Sequence, residues 1–204
     1  MTVFDKLILH FEHFPGIGSR QARRFAFHLL TLDPRELEDL AGLIRTIREN
    51  VVPCPSCARF HTPMGNERLC RVCSDISRDK SKIAVVEHDT DIDAIERSGM
   101  YDGFYFVLGG TVPLLESKEN SKLRGGQLKH IVTERAGVGL REIILAFSVN
   151  PDGENTARYI ETLLRELTET HSLTLSHLGR GLSTGSELEY ADPETIKNAL
   201  RNRF

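Results

Sequence analysis

All four cysteines of the chain fall in one stretch, Cys54-Pro-Ser-Cys57 and Cys70-Arg-Val-Cys73, with twelve residues between the pairs. Thiolates two residues apart in such a pair can curl around one metal ion, and two pairs complete a tetrahedron. The loop Ala58 to Leu69 is slightly shorter than the commonest zinc spacing but closes easily on itself. The competing readings are two disulfides or a thioredoxin-like redox pair. The start Met-Thr-Val-Phe-Asp has neither the basic nor the apolar region of an export signal and reads as cytoplasmic. The first pair also lacks the strand–helix setting of a redox motif. The expectation is therefore one structural Zn2+ held by Cys54, Cys57, Cys70 and Cys73, a closed site with no open coordination position. His61 lies inside the loop, but four thiolates already fill the shell, so it is read as a surface histidine.

The 204 residues are 40% hydrophobic and 27% charged, as in a globular domain with small appendages. No apolar run approaches the length of a membrane span. A net charge of −3 excludes overall electrostatic attraction to nucleic acid, so phosphate binding has to come from a local basic patch. With no tryptophan and four tyrosines, base stacking has little to work with.

Such a patch lies near the amino terminus. Phe4 to Phe14 reads as a helix with Leu7, Ile8 and Phe11 on one face. It breaks at Pro15-Gly16-Ile17-Gly18, and a second helix follows with Ser19 as its expected N-cap and Ala22, Phe25, Ala26 and Leu29 as its stripe. Gly16 and Gly18 let the backbone approach a phosphate, and the amides opening the second helix point at it. Arg20, Arg23 and Arg24 follow on the solvated face, and no acid occurs from His13 to Leu32. The bland alternative is a tight turn beside an arginine-coated surface; Pro before the glycines and arginines after them favour contact with the DNA backbone. A third helix opens with Asp33 at N-cap, Pro34 at N1 and Glu36 at N3, with Leu37, Leu40, Ala41, Ile44 and Ile47 as its core face.

After Lys82 the pattern alternates strand and helix. Strands are expected at 83–87, 104–108, 143–147 and 173–177, and helices at 89–98, about 122–136 and 154–170, with Gly99 closing the first helix. This is an α/β unit with a mostly parallel sheet. Glu87 ends the first strand and Asp152-Gly153-Glu154 follows the third, so the three acids are candidates to meet beyond the carboxyl ends of the strands. Asp152 and Glu154 are equally well explained as acids at a helix N-terminus. Three look-alikes fail. Asp89, Asp91 and Asp93 start like a calcium loop but have Ala94 and Met100 where Gly and Glu are needed. Gly181 to Ser186 lacks the lysine of a phosphate loop, and Asn150-Pro-Asp reads as a plain turn.

A lone Glu at one strand end and an acid-x-acid pair at another resemble the Toprim domain, in which the Glu is a general acid/base and the pair holds Mg2+. The order helix-hairpin-helix, four-cysteine module, Toprim-like α/β and carboxy-terminal strand/helix tail resembles the RecR family of bacterial recombination mediators along the whole chain. The resemblance is carried by Phe14-Pro-Gly-Ile-Gly18, Arg24 to Leu30, Cys73 to Asp79, Val85-Val-Glu87, Val107 to Gly110, Gly153-Glu-Asn-Thr156, Arg180-Gly-Leu182 with Gly185, and Leu188 to Asp192. The segment Thr111 to Gly126 departs from the family pattern, and Asp152 and Ser183 stand where the family usually has glutamate and proline. The expected divisions are 1–53, 54–79, 80–178 and an oligomerisation tail, 179–204. The resemblance implies a non-enzymatic, DNA-binding protein forming a ring-like homo-tetramer or dimer. It would act with RecO and RecF to load RecA on single strands coated by SSB. Gly16, Gly18, Arg20, Arg23 and Arg24 would contact DNA, while Glu87, Asp152 and Glu154 would meet a basic partner. The alternatives are a Mg2+-dependent Toprim nuclease using those three acids, and a zinc-containing adapter with no DNA contact.

Overall fold

The structure is a computed structural model and describes residues 1–114, 123–179, 181, 182, 185 and 187–201. It divides into two compact units, Met1–Val51 and Val52–Phe204.

The first unit contains α1 (Val3–Glu12), α2 (Ser19–Leu29) and α3 (Pro34–Asn50). Thr2 caps α1 reciprocally with Asp5, each side chain accepting a backbone amide of the other. Between α1 and α2, Gly16 takes φ +75°, which a residue with a Cβ rarely adopts. The N-cap of α2 is Gly18, and Ser19, expected as the cap, is the first helical residue. Glycine fits there because its backbone is extended and no side chain is asked to reach the first-turn amides. Of the expected stripe only Ala22 and Ala26 are fully buried; Phe25 remains 41% exposed and packs edge-on against Phe11, while Phe27 meets Phe4. Asp33 does cap α3, accepting the Arg35 amide at 2.9 Å with Pro34 in the first turn. The apolar positions of α3 depart from expectation. Leu37, Leu40, Leu43, Ile44 and Ile47 are all exposed, Ile44 at 65%, so this stripe is not a core face of the first unit.

The second unit starts with a small antiparallel pair, β1 (Val52–Pro53) and β2 (Phe60–His61), and the short α4 (Arg71–Ser74). It continues through β3 (Asp79–Val86), α5 (Asp89–Ser98), β4 (Gly103–Val107), α6 (Gly125–Ala136), β5 (Glu142–Ala146), α7 (Pro151–His171) and β6 (Thr174–His177). The four longer strands form one all-parallel sheet in the order β4-β3-β5-β6. Period-two alternation splits β3 between two cores. Ile83 and Val85 pack with α6 and α7 through Leu128, Ile131, Val132, Ile160 and Leu164. Ala84 and Val86 face the opposite side with Ile92 of α5 and, in the same cluster, Cys54, Cys57, Cys70 and Val72. The cysteine module is therefore packed on one face of the sheet.

Gly99 closes α5 at φ +65°, as its position implies. Asn150-Pro-Asp is more than a turn: Asn150 accepts the Gly153 amide at 2.7 Å and Pro151 occupies the first turn, so α7 begins three residues earlier than expected. α6 starts at Gly125, and Lys122, its expected start, lies outside the described residues. A Cβ at Gly125 would sit 2.5 Å from the Tyr159 hydroxyl, so a larger residue there would have to displace that side chain. Among the described residues the tail is helical, with a 3-10 turn at Leu188–Tyr190 and α8 (Pro193–Arg201). Arg180 and Ser183 lie outside the described residues, as do parts of the Gly181–Ser186 and Thr111–Gly126 segments.

Candidate functional site

The four cysteines converge. Their sulfurs all lie within 4.8 Å of one another, and Cys57 Sγ is 3.5 Å from Cys70 Sγ. No disulfide joins any two of the four. A tetrahedron with Zn–S bonds near 2.3 Å has edges of roughly 3.8 Å, so the spacing fits one such ion. The Cys70 amide points at Cys54 Sγ at 3.5 Å, the kind of contact that steadies a thiolate ligand. His61 stays out of the shell and bonds the Arg68 carbonyl at 3.2 Å.

Polar contacts fasten this module to the sheet. β4 is an edge strand, and the module occupies part of its outer side: the Val107 amide donates to the Cys57 carbonyl at 2.8 Å. Arg124 donates to the carbonyls of Ala58 at 3.0 Å and Val107 at 3.1 Å, with its guanidinium over the Phe60 ring. Arg135 bonds Ser56 and lies 4.4 Å from the Phe104 ring centroid. Asp89 accepts the Phe60 amide at 2.7 Å and Asp93 pairs with Arg59, which gives the calcium-loop look-alike its actual work. At the module's exit Arg78 bonds Glu96 and the Gly103 carbonyl, and Tyr105 donates to Glu96 at 2.6 Å. Burial pushes the Glu96 carboxyl up, but those two partners more than offset it and leave it below the usual range.

Gly16 and Gly18 shape the turn before α2. No side chain caps the amides of its first turn, and no acid lies there. Arg20, Arg23 and Arg24 are exposed and form no ion pair among the described residues. Uncapped amides beside three solvated guanidiniums can receive a phosphate.

The carboxylate oxygens of Glu87, Asp152 and Glu154 do not all lie within 4.8 Å of one another. Among the described residues the cysteines are the one group of three or more ligand side chains within 4.8 Å of each other. Glu87 is 8% exposed and accepts the Ser148 amide at 2.7 Å and its hydroxyl at 3.3 Å. Asp152 accepts the Leu114 amide at 3.0 Å. Glu154 pairs with Arg158 at 3.7 Å and lines a cleft with Val149, Asn150, Asp192, Thr195 and Asn198. Glu87 is tied down by the chain after β5, whereas the other two stand on the first turn of α7. Sequence reasoning missed Ser148, Arg124, Asn155 and Thr156 as partners, since hydrogen bonds between residues this far apart in sequence leave no local pattern.

Residues 4–48 match the family described as RecR, helix-hairpin-helix; residues 81–177 match the Toprim domain, and 181–203 match RecR, C-terminal. Recombination protein RecR of Mycolicibacterium smegmatis is 38% identical over 190 residues, 93% of this chain and 90% of that protein. This chain belongs to the RecR family. The protein of the same name from Mycobacterium tuberculosis is 39% identical over 190 residues, 93% of this chain and 90% of its own length. That from Mycobacterium leprae is 36% identical over 200 residues, 98% and 95% of the two chains. The RecR helix-hairpin-helix match runs across the Gly16–Gly18 turn and its arginines, and the Toprim match includes all three acids. The four cysteines lie between those two matches. No helix among the described residues is long and apolar enough to cross a membrane.

Proposed function

We propose that this chain works in DNA recombination and repair as a DNA-binding mediator that does not cut its substrate. The observation that carries the reading is the α1–α2 hairpin: a glycine turn, uncapped amides and three exposed arginines, inside a segment matched as RecR helix-hairpin-helix. These contacts read phosphate, so binding is independent of sequence. The cysteine module holds one structural Zn2+, and the chain's parts follow the divisions 1–53, 54–79, 80–178 and 179–204. In the cytoplasm the protein acts as a ring-like homo-tetramer or dimer with RecO and RecF, helping RecA onto SSB-coated single strands. The exposed apolar stripe of α3 supports self-association, because stripes of this kind are normally covered. Several copies of one basic patch around a shared hole also offset the net charge of −3. Glu87, Asp152 and Glu154 supply charge to a basic partner surface, with Glu154 lining the cleft beside α7.

The nuclease alternative gains little from the geometry, since Glu87 is occupied by Ser148 and the carboxylates do not gather around one point. The test is a gel of supercoiled plasmid with Mg2+ and wild-type protein, Glu87→Gln, or Arg23→Glu with Arg24→Glu. Retarded, uncut plasmid is expected with the first two and weaker retardation with the third. The slope of log affinity against log salt should shrink by about 0.9 for each phosphate no longer neutralised. Nicking that disappears with Glu87→Gln would overturn the mediator reading, and undiminished binding by the arginine variant would overturn the hairpin assignment.

A further inference from the structure

The α1–α2 hairpin carries a row of three phenylalanine rings. Phe11 makes edge contacts with Phe14 at 5.8 Å and with Phe25 at 5.9 Å between ring centroids. Neither end of the row is covered: Phe14 is 56% exposed and Phe25 41%. Phe14 is nevertheless held in place. Its amide donates to the Phe11 carbonyl at 3.0 Å, and its carbonyl accepts the Ile17 amide at 3.1 Å across Pro15-Gly16. A turn closed in this way keeps the Cα atoms of Phe14 and Ile17 within about 7 Å. The ring therefore stands close to the uncapped amides that open α2, with Arg20, Arg23 and Arg24 exposed just beyond them. A fixed, uncovered ring beside three guanidiniums is complementary to a ligand that is anionic at one end and flat and apolar at the other. A nucleotide has that form, with its phosphate on the arginines and its base on the ring.

We propose that Phe14 is a base-stacking residue that gives the hairpin a preference for single-stranded over double-stranded DNA. The inference rests on the hairpin reading above and deepens it, since phosphate contacts alone position the strand without reading its bases. In a duplex each base face is covered by its neighbours, whereas a single strand offers its faces to a ring. Every base has such a face, so the contact adds affinity without sequence preference. The contact with Phe11 and the two backbone hydrogen bonds of Phe14 order the ring before DNA arrives, which lowers the entropic cost of stacking.

Binding of the full-length protein to a labelled oligonucleotide, as a single strand and as its duplex, tests this. The variants are Phe14→Ala, Phe14→Trp, and Arg23→Glu with Arg24→Glu. Phe14→Ala should lower the ratio of single-strand to duplex affinity roughly tenfold, the worth of one stacked base. Its salt dependence on the single strand should match wild type, because stacking releases no counterions. Phe14→Trp should keep the ratio. The chain has no other tryptophan, so the emission of this variant reports the site alone and should be quenched by the single strand and not by the duplex. The arginine pair should weaken binding to both forms and flatten the salt dependence. The inference is overturned if the arginine pair weakens binding while Phe14→Ala leaves the ratio unchanged. It is also overturned if Phe14→Ala weakens both forms equally, as loss of a contact between copies of the chain would, or if the single strand leaves the Phe14→Trp emission unaltered. Undiminished binding of both forms by the arginine pair would overturn the hairpin reading, and this inference with it.

Discussion

Replacing Gly153 by Ala tests how tightly the first turn of α7 is pressed on the chain after β5. The added Cβ would stand 2.0 Å from the Ser148 carbonyl oxygen, 2.9 Å from its carbon and 3.2 Å from its nitrogen. These are backbone atoms, and the same residue's amide is committed to Glu87. Relief requires a shift of about 1 Å, because real Cβ contacts under 3.0 Å are essentially absent. Forcing an extra methyl group into a packed site costs about 1–3 kcal/mol. Moving Gly153 also weakens the cap from Asn150 to its amide, worth about 1 kcal/mol. Helix propensity returns about 1 kcal/mol to Ala, leaving a net loss of roughly 1–3 kcal/mol. In a chain of this size that lowers the melting temperature by roughly 2–12 °C. Gly126→Ala is the control: it lies in α6 with nothing within 4 Å of the point its methyl group would take, so it should gain up to about 1 kcal/mol. Thermal unfolding followed by circular dichroism gives both values. If Gly153→Ala melts at or above wild type while Gly126→Ala behaves as expected, α7 is not pressed on Ser148 and the steric reasoning is refuted.

Two further outcomes follow from the cysteine module and from β3. Stripping metal with a chelator, or Cys70→Ser, should release the Cys57 carbonyl from Val107 and uncover the β4 edge. Exchange across 103–108 should rise and the protein should aggregate, while the 160–170 stretch of α7 stays protected; unchanged Val107 exchange after chelation would refute the coupling. Hydrogen bonds from the Ser81 and Lys82 side chains hold Asp79 at about 2, well below its unfolded value. A depressed carboxyl stabilises the fold above the ordinary carboxylate range and loses that contribution as pH falls through about 2. Asp79→Asn should therefore flatten the fall in melting temperature between about pH 4 and pH 2; parallel curves would refute it.

The elements that depend on neighbours in sequence were legible from the chain itself. Four cysteines as two CxxC pairs can close around one ion because the spacing alone brings the thiols together. The continuous apolar runs at 83–86 and 143–146 belong to buried parallel strands for the same local reason. Turn chemistry placed Gly99 at the end of α5, and the arginine positions opposite Ala22 and Leu29 put Arg20, Arg23 and Arg24 in solvent. Roles that depend on what arrives from elsewhere were decided by tertiary structure. The stripe of α3 looked like core by periodicity, yet periodicity says only that a face is apolar and not what covers it. Glu87, Asp152 and Glu154 were legible as acids at strand ends, but their individual partners, Ser148, Leu114 and Arg158, came only with the fold. A carboxylate's work is set by the donor that reaches it, and donors 38 or 61 residues away reach it only after the sheet has formed.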